Sequence, residues 1–340
     1  MVGRGLDAAW ETVTEEVLLS EWERVVDRGT WVKRLGDRAP SGHFWPSNVF
    51  VAGLPAVLFS VLAGRPVLIK APCNEGAFAA LLARSFAMHA PELGPTVGAA
   101  TWDRGDQQAT SSLLAAVDRV FAFGDQGSID ALSLLVRPET PLHRFGPRIS
   151  VGFVADDHRD HLDPTSLLDM AEDVVAWDGA GCLTPRWIFV EGGLAEAEDF
   201  ARACVPAMKA ATDRWPARPL DAERGATRMS FLGLARFAGL AWDGPGWAVA
   251  VVQDPLSLPE PPPRTLVLSP ISHRSSLPRL LTPFSGMLQG ALVLGSGGAR
   301  REIFDVLRPL GLSLCAVPGQ LQRPPLAWQH DEVDLLAALV

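Results

Sequence analysis

Residues 66–89 read PVLIKAPCNEGAFAALLARSFAMH, and this stretch decides the class of fold. Pro66 to Lys70 is a short apolar run of the kind that forms a buried strand. Glu75 to His89 follows, with apolar residues at helical spacing and an abundance of alanine, which favours helix. A buried strand followed closely by a helix is the repeating unit of proteins whose parallel sheets carry helices on both faces.

The same alternation continues along the chain. Further strands are predicted at Arg119–Phe123, Ile149–Val154, Trp187–Glu191 and Thr265–Leu268. Further helices are predicted at Ala8–Val26, Ser128–Val136, Ser166–Ala176 and Ala195–Ala211. We therefore expect an α/β fold in two domains, of which residues 1–155 form the first, a nucleotide-binding type of domain.

Composition and charge exclude several classes of protein. The chain has 340 residues, of which 48% are hydrophobic and 20% are charged, the balance of a globular protein. Its formal net charge is -9, so we expect no nucleic-acid partner. The apolar run from Val49 to Leu62 contains Gly and Pro and is too short to span a bilayer. The polar N-terminus lacks the apolar core of a secretory signal.

Cysteine usage indicates a reducing compartment. The cysteines are widely spaced and form no CxxC pair, so we expect neither a disulfide framework nor a metal site. A cytoplasmic location fits this pattern. The positions are Cys73, Cys182, Cys204 and Cys315.

One of these cysteines lies in a glycine-rich loop. The sequence Trp177-Asp-Gly-Ala-Gly-Cys182-Leu-Thr-Pro185 falls between a predicted helix and a predicted strand. Glycines let backbone N–H groups approach a reacting carbonyl, and a thiolate there can form a thioester or a thiohemiacetal. Cys182 is therefore a candidate nucleophile. The alternative is a small buried cysteine beside a tight turn, since free cysteine is among the most buried residue types.

Two further motifs carry polar residues where ligands bind in α/β proteins. Asn48 ends the motif Trp45-Pro-Ser47-Asn48, and its amide can donate to an oxyanion, although Pro-Ser-Asn is also an ordinary turn. Lys70 ends a buried strand and can meet a ribose hydroxyl or a phosphate; alternatively, its stem covers the sheet edge. Lysine is scarce in this chain, which favours a function for Lys70, whereas the abundant arginines carry little individual information.

A fourth motif combines glycines with the start of a helix. Gly124, Gly127 and Ser128 stand where a predicted strand turns into a predicted helix. Open N–H groups at a helix start bind phosphates, so these residues are candidates for phosphate binding. The alternative is ordinary strand–turn–helix packing with Ser128 near the N-cap.

Taken in order, these motifs resemble the aldehyde dehydrogenase superfamily, and within it the acyl-CoA reductase family typified by the fatty-acid reductase subunit of bacterial luminescence. A C-terminal motif rich in proline also looks like the end of that family. The matching segments are Ser47-Asn48-Val49, Lys70-Ala-Pro72, Gly127-Ser128, Cys182-Leu-Thr-Pro185-Arg186 and Pro324-Pro-Leu-Ala-Trp328-Gln-His-Asp331.

The resemblance implies an aldehyde dehydrogenase-like fold of two doubly wound α/β domains. The first is a Rossmann-like domain for a nicotinamide cofactor at residues 1–155, completed by the C-terminal segment 300–340. The second is a catalytic domain at residues 156–299, which carries the cysteine nucleophile.

The resemblance also implies a reaction. Cys182 would take up an acyl group from acyl-CoA or an acyl-carrier protein, Asn48 would stabilise the oxyanion, and NADPH or NADH would reduce the S-acyl group to an aldehyde. A homodimer or a complex with a partner enzyme is expected by the same resemblance. The implied cofactor-binding residues are Ser47, Lys70, Gly124, Gly127 and Ser128.

Two departures from the superfamily pattern bear on this reaction. Oxidising members carry a carboxylate that activates water, but Leu142-His143-Arg-Phe-Gly-Pro147 has none, so reduction is expected rather than hydrolysis. His143 is a candidate proton donor or, equally, a histidine at a strand start that touches the backbone. The ribose-binding glutamate also has no match, because Leu268-Ser269-Pro270 stands near its place. An alternative function follows: a shortened, non-reducing relative that binds an acyl carrier or a partner subunit.

Overall fold

The computed structural model describes residues 38–159, 163–326 and 328–339, and the chain divides into two compact units. The first unit contains the described residues up to Pro147 together with those from Pro325 onward, and the second contains Arg148–Pro324. The division falls at residue 147, where the sequence analysis placed it at 155, and the C-terminal segment joins the first unit from 325, not from 300. The helix predicted at residues 8–26 lies outside the described residues.

The first unit is built on a parallel sheet with the order β3-β2-β1-β4-β5. Its strands are β1 (Ser41–Phe44), β2 (Val67–Ala71), β3 (Val97–Thr101), β4 (Arg119–Phe123) and β5 (Leu142–Phe145). Its helices are α1 (Leu54–Leu62), α2 (Gly76–His89), α3 (Gln107–Ala116) and α4 (Gln126–Ser133). Because strands are added first on one side of β1 and then on the other, the sheet is doubly wound.

Local sequence signals set the limits of these elements. In β2, Val67, Ile69 and Ala71 are buried while the residues between them are partly exposed, which is the alternation of a strand. The N-terminal ends of α3 and α4 are set by Asp106 and Asp125, whose carboxylates accept hydrogen bonds from backbone N–H groups in the first turn. These signals place the ends of strands and the beginnings of helices at one edge of the sheet.

The C-terminal segment completes the core of the first unit. Its leucines pack against aromatic residues of β4 and β5; the cluster includes Phe121, Phe123, Phe145, Leu326, Leu335, Leu336 and Leu339. Arg65 Nε donates to the carbonyl oxygen of Leu339 at 2.8 Å, and the Arg119 guanidinium donates to the carbonyl oxygen of Ala338. Side chains on strands and loops far away in sequence therefore hold this segment in place.

The second unit is built on a larger sheet with the order β12-β11-β6-β7-β10-β9-β8. Its strands are β6 (Ile149–Val154), β7 (Pro185–Glu191), β8 (Gly239–Gly244), β9 (Trp247–Val252), β10 (Thr265–Ile271), β11 (Leu288–Leu294) and β12 (Leu314–Ala316). Its helices are α5 (Asp156–Arg159), α6 (Pro164–Val175), α7 (Leu194–Arg214), α8 (Ala222–Ala238), α9 (Leu277–Leu281) and α10 (Gly297–Leu307).

This second sheet is parallel except for the β8–β9 hairpin at one edge. Every residue of β9 and β11 is buried, as expected for strands that are covered on both faces. The predicted α/β class is confirmed in both units. In the part of the chain that the structure describes, no helix has the length and apolar character needed to cross a membrane.

A histidine lies in the core of the first unit. The Oγ atoms of Ser41 and Ser60 lie 2.9 and 3.2 Å from Nε2 of His43. Both hydroxyls donate to carbonyl oxygens, those of Pro66 and Ala56, so both accept from a protonated Nε2. Burial lowers the pKa of His43 from 6.5 to about 3, so the ring is neutral in the folded protein.

This burial predicts a loss of stability in mild acid. Below pH 6.5 His43 becomes protonated in the unfolded chain, but in the folded chain it stays neutral down to about pH 3. The unfolded state therefore binds more protons in this range, and the free energy of unfolding falls as the pH falls. The slope is at most about 1.4 kcal/mol per pH unit. Urea unfolding between about pH 7 and about pH 5 should show that the free energy of unfolding depends less steeply on pH in His43→Gln than in the wild type. His89→Gln, at an exposed position, is the control and should keep the wild-type slope; equal slopes for all three proteins would contradict the prediction.

Candidate active site

The candidate nucleophile lies at the amino end of a strand in the second unit. Cys182 stands between the short helical turn Ala176–Gly179 and β7, and its side chain is half-buried. Its carbonyl oxygen accepts a hydrogen bond from Ser150 Oγ of β6 at 2.8 Å. The loop is also closed on itself, since the N–H of Thr184 donates to the carbonyl oxygen of Gly181 at 3.0 Å. The backbone that carries the thiol is therefore fixed on both sides.

Burial distinguishes the cysteines from one another. Burial raises the pKa of the Cys204 thiol well above its ordinary value and that of Cys315 to about 11, so both stay protonated. Cys73 is exposed, and its Sγ lies 3.4 Å from the carbonyl oxygen of Trp102. Cys182 is partly accessible and forms no disulfide. Cys182 thus combines access with a fixed backbone.

The turn before Cys182 has an uncommon backbone conformation. Trp177, Asp178 and Gly179 are all left-handed, with φ of 54°, 55° and 70°. Left-handed backbone is uncommon for residues other than glycine and persists only where the surrounding structure enforces it. At Gly179 no larger residue fits, because a Cβ would lie 2.5 Å from the backbone nitrogen of Arg264. Strain of this kind is concentrated at functional sites, which favours a function for this loop.

A buried arginine enforces that conformation. The side chain of Arg264 is 4% exposed, and its Nη1 donates to Asp178 Oδ1 at 2.9 Å. Its Nε donates to the carbonyl oxygen of Gly246 at 2.9 Å, and its Nη2 to Thr212 Oγ1 at 3.3 Å. Burial lowers the pKa of Arg264, and the hydrogen bond to Asp178 acts in the opposite direction. The sequence analysis missed this residue because arginine is abundant in the chain.

The residues predicted to bind a cofactor lie at one edge of the first unit. Ser47 and Asn48 lie in the loop after β1, and Gly124, Gly127 and Ser128 follow β4, so both groups stand beyond the carboxyl ends of neighbouring parallel strands. The order of the sheet reverses between β1 and β4, and α/β proteins bind ligands in the crevice at such a reversal. The structure therefore brings these residues together at one sheet edge.

The side chains of Lys70 and Asn48 both make contacts within the first unit. Lys70 lies in β2, and its Nζ is 5.9 Å from the centre of the Trp102 ring. The Asn48 side chain is exposed, and its Oδ1 accepts a hydrogen bond from the N–H of Val49 at 3.0 Å. With its oxygen so engaged, the amide of Asn48 has its NH2 group as the donor.

The start of α4 already holds a negative charge. Asp125 accepts hydrogen bonds from the N–H and the Oγ of Ser128, at 2.8 and 2.9 Å. The backbone hydrogen bond from Ser128 is the main reason why the pKa of Asp125 lies below its ordinary value. Arg104 approaches from the other side, with Nη2 3.0 Å from Ser128 Oγ and 3.4 Å from Asp125 Oδ2. The N–H predicted to face a phosphate is thus bonded to a carboxylate, and Arg104 supplies a positive group that the sequence analysis missed.

His143 lies within the sheet of the first unit. Its ring stacks on Phe121 with centroids 4.7 Å apart, and His43 stacks on the same phenylalanine at 4.9 Å. The three rings occupy one row across neighbouring strands. The Nε2 of His143 is buried without a hydrogen-bond partner, and burial followed by the charge of Arg119 lowers the pKa of this ring. These contacts favour the structural alternative for His143.

The segment near the expected place of a ribose-binding glutamate is part of a strand. Leu268, Ser269 and Pro270 lie inside β10, where each is paired with β7. Among the residues that the structure describes, no group of three or more His, Cys, Asp or Glu could hold a metal ion.

Comparisons with known proteins can be set beside this geometry. The family model described as acyl-CoA reductase (LuxC) matches residues 11–340. No curated protein matches the chain. Among solved structures, an NAD-dependent aldehyde dehydrogenase from Sinorhizobium meliloti is 16% identical with a TM-score of 0.61, over 82% of this chain and 58% of that one.

Two other solved structures give the same result. The Mycobacterium tuberculosis aldehyde dehydrogenase complexed with NAD+ is 14% identical with a TM-score of 0.61, over 82% of this chain and 61% of that one. An NAD-dependent benzaldehyde dehydrogenase from Corynebacterium glutamicum is 14% identical with a TM-score of 0.61, over 83% of this chain and 64% of that one. The chain spans less than two thirds of each of these three proteins, and at these identities the likeness establishes an aldehyde dehydrogenase-like fold.

The left-handed turn predicts a strong effect at Gly179. Replacing Gly179 by Ala should lower the free energy of unfolding by about 1–3 kcal/mol, because the backbone is left-handed and the added Cβ meets the Arg264 backbone. Gly225→Ala in α8 is the matched control: its Cβ meets nothing within 4 Å, so this change should be neutral or stabilising. Urea unfolding of the two variants measures the difference, and similar values for both would contradict this account of the turn.

Proposed function

Because the chain belongs to the acyl-CoA reductase (LuxC) family, we propose that it reduces an acyl thioester to an aldehyde through an S-acyl intermediate on Cys182. The observation that carries the proposal is the position of this cysteine. Cys182 is partly accessible and follows a left-handed turn that the buried Arg264 holds in place. Pre-organised backbone of this kind is what a nucleophile and its oxyanion donors require.

The reaction has two stages. In the first, the Cys182 thiolate attacks the carbonyl carbon of an acyl thioester, and collapse of the tetrahedral oxyanion expels the leaving thiolate, which is protonated on release. In the second, hydride supplied by a nicotinamide cofactor would add to the S-acyl carbon, and the resulting thiohemiacetal oxyanion would expel the Cys182 thiolate and release the aldehyde. We propose the N–H of Cys182 as an oxyanion donor in both stages, and the resemblance to the family implies the same role for the Nδ2 of Asn48.

The absence of a carboxylate in the segment 142–147 supports reduction over hydrolysis. A general base there would activate water against the S-acyl group, and this segment offers His143 and Arg144 instead. Because the His143 ring stacks on Phe121 inside the sheet, we propose no proton transfer through it.

The donor groups at the edge of the first unit fit a nicotinamide dinucleotide, whose chemical contribution when bound is the hydride. We propose that Lys70 meets the adenosine ribose or its 2′-phosphate, and that Ser47, Gly124, Gly127 and Ser128 approach the phosphates. Arg104 supports this assignment because it adds a positive charge beside Ser128. The carboxylate of Asp125 opposes it, so Arg104 is needed to offset that negative charge. NADPH is the preferred cofactor in this proposal, and NADH the second choice.

A second candidate function is the binding of an acyl carrier or a partner subunit without any reduction. It is favoured by Leu268–Pro270, which offers no carboxylate for a ribose. A thermal shift with NADPH discriminates between the two, because only a reductase is stabilised by the cofactor.

The S-acyl intermediate predicts a trapped adduct. Incubation with acyl-CoA of several chain lengths, without cofactor, should add one acyl group to Cys182, which peptide mass spectrometry locates. Cys182→Ala should lose both the adduct and aldehyde formation, whereas Cys73→Ala, which removes the exposed thiol, should keep both. Aldehyde formation at the wild-type rate by Cys182→Ala would refute the proposed function.

The role of Lys70 predicts a selective effect on cofactor affinity. Lys70→Met keeps the stem but removes the charge, so it should weaken NADPH binding by about tenfold or more while changing NADH binding less. Lys209→Met, on the exposed face of α7, is the matched control and should leave both affinities unchanged. Titration calorimetry measures the dissociation constants, and an equal loss for both nucleotides would place the contact away from the 2′-phosphate.

A further inference from the structure

A buried carboxyl group in the second unit holds a distant loop. Asp173, near the end of α6, is 2% exposed. Its Oδ2 accepts a hydrogen bond from the N–H of Gly319 at 2.7 Å, and its Oδ1 accepts one from the N–H of Gln322 at 3.3 Å. Burial raises the pKa of Asp173 to about 7, while these backbone donors act to lower it. Burying a carboxyl group costs free energy, so the presence of Asp173 here indicates that the loop from Gly319 to Gln322 has to be held in place.

The fixed loop presents one side chain to the candidate nucleophile loop. The Nε2 of Gln322 donates to the carbonyl oxygen of Asp173 at 3.1 Å and contacts Thr184 Oγ1 at 3.5 Å. Its Oε1 lies 3.5 Å from the place that a Cβ on Gly181 would occupy. Gly181 directly precedes Cys182, and Thr184 follows it by two positions. The amide of Gln322 therefore contacts Thr184 on one side of the thiol and faces Gly181 on the other.

Apolar packing supports the same arrangement. A Cβ on Gly290 of β11 would lie 2.7 Å from Ser150 Oγ and 3.0 Å from the side chains of both Leu183 and Leu321. Leu321, next to Gln322, and Leu183, next to Cys182, therefore both pack over Gly290. The loop that carries Gln322 cannot move without disturbing the segment that carries the thiol.

We infer that Gln322 is a positioning residue for Cys182, and that the carboxyl group of Asp173 holds Gln322 in place. The amide holds Thr184 and borders Gly181, and in this way it sets the direction of the Cys182 N–H and the place of its sulfur. Backbone dipoles aimed at the sulfur stabilise the thiolate, which is the reactive form. The role of Gln322 in turnover rests on the proposed function, but its effect on the reactivity of the Cys182 thiol can be tested without it.

The first test measures the reactivity of Cys182 in the 340-residue chain. Gln322→Met keeps the size of the side chain and removes the amide, so alkylation of Cys182 by iodoacetamide should slow by about three- to tenfold. Gln320→Met is the matched control, because Gln320 lies in the same loop and is exposed. Peptide mass spectrometry follows Cys182 alone. An unchanged or faster rate in Gln322→Met, or an equal slowing in Gln320→Met, overturns the inference.

A double-mutant cycle tests whether the contact with Thr184 carries the effect. Thr184→Val removes the hydroxyl at nearly constant shape, so on its own it should also slow alkylation. Combined with Gln322→Met it should add little, since both changes remove the same contact. Fully additive effects would show that Gln322 does not act through Thr184 and would overturn the mechanism. Asp173→Asn should give the same slowing; if this variant does not fold, the Gln322→Met result decides.

Two outcomes separate this inference from the proposed function. If Gln322→Met slows alkylation but the wild type forms no S-acyl adduct from any acyl thioester, the positioning role stands and the proposed function falls. If the wild type forms the adduct and Gln322→Met forms it at the same single-turnover rate, the proposed function stands and the positioning role falls.

Discussion

The guanidinium of Arg264 lies almost fully buried, and its charge is tolerated there because Asp178, the carbonyl oxygen of Gly246 and the hydroxyl of Thr212 accept its N–H groups. The same contacts hold Asp178 in a left-handed conformation that a free chain would avoid. The turn before Cys182 therefore depends on partners in α7 and in the β8–β9 hairpin. The conformation of the turn that leads into Cys182 follows from this one buried charge.

Two carboxylates elsewhere in the molecule are also held by hydrogen bonds, and in both cases the donors are backbone N–H groups. Asp173 is buried against the N–H groups of Gly319 and Gln322, and Asp125 binds that of Ser128 at the start of α4. In the first case the carboxyl group orders a loop beside the candidate nucleophile. In the second it occupies the N–H that a phosphate would use, and Arg104 is the positive group beside it.

Much of the fold was predictable because it follows from local patterns. The short apolar runs at β2, β4, β6, β7 and β10 alternate with helical segments, and this alternation is visible in a single sequence. The β8–β9 hairpin and the division at residue 147 were not predicted, since neither has a strong local signal. The strand Ile149–Val154 joins the second unit because it pairs with β7 and β11, and pairing partners are not written in the strand itself.

For the candidate site, too, some features could be predicted from local sequence and others depend on the tertiary structure. The sequence by itself determined the α/β class, the cysteine in a glycine-rich loop and the polar residues at the ends of strands, because those features depend on neighbours in the chain. Only the tertiary structure decided which groups hold that cysteine, since Arg264 meets Asp178 across 86 positions and Gln322 meets Asp173 across 149. A buried polar group is stable only when its partners converge from distant segments, and that convergence is a property of the folded chain.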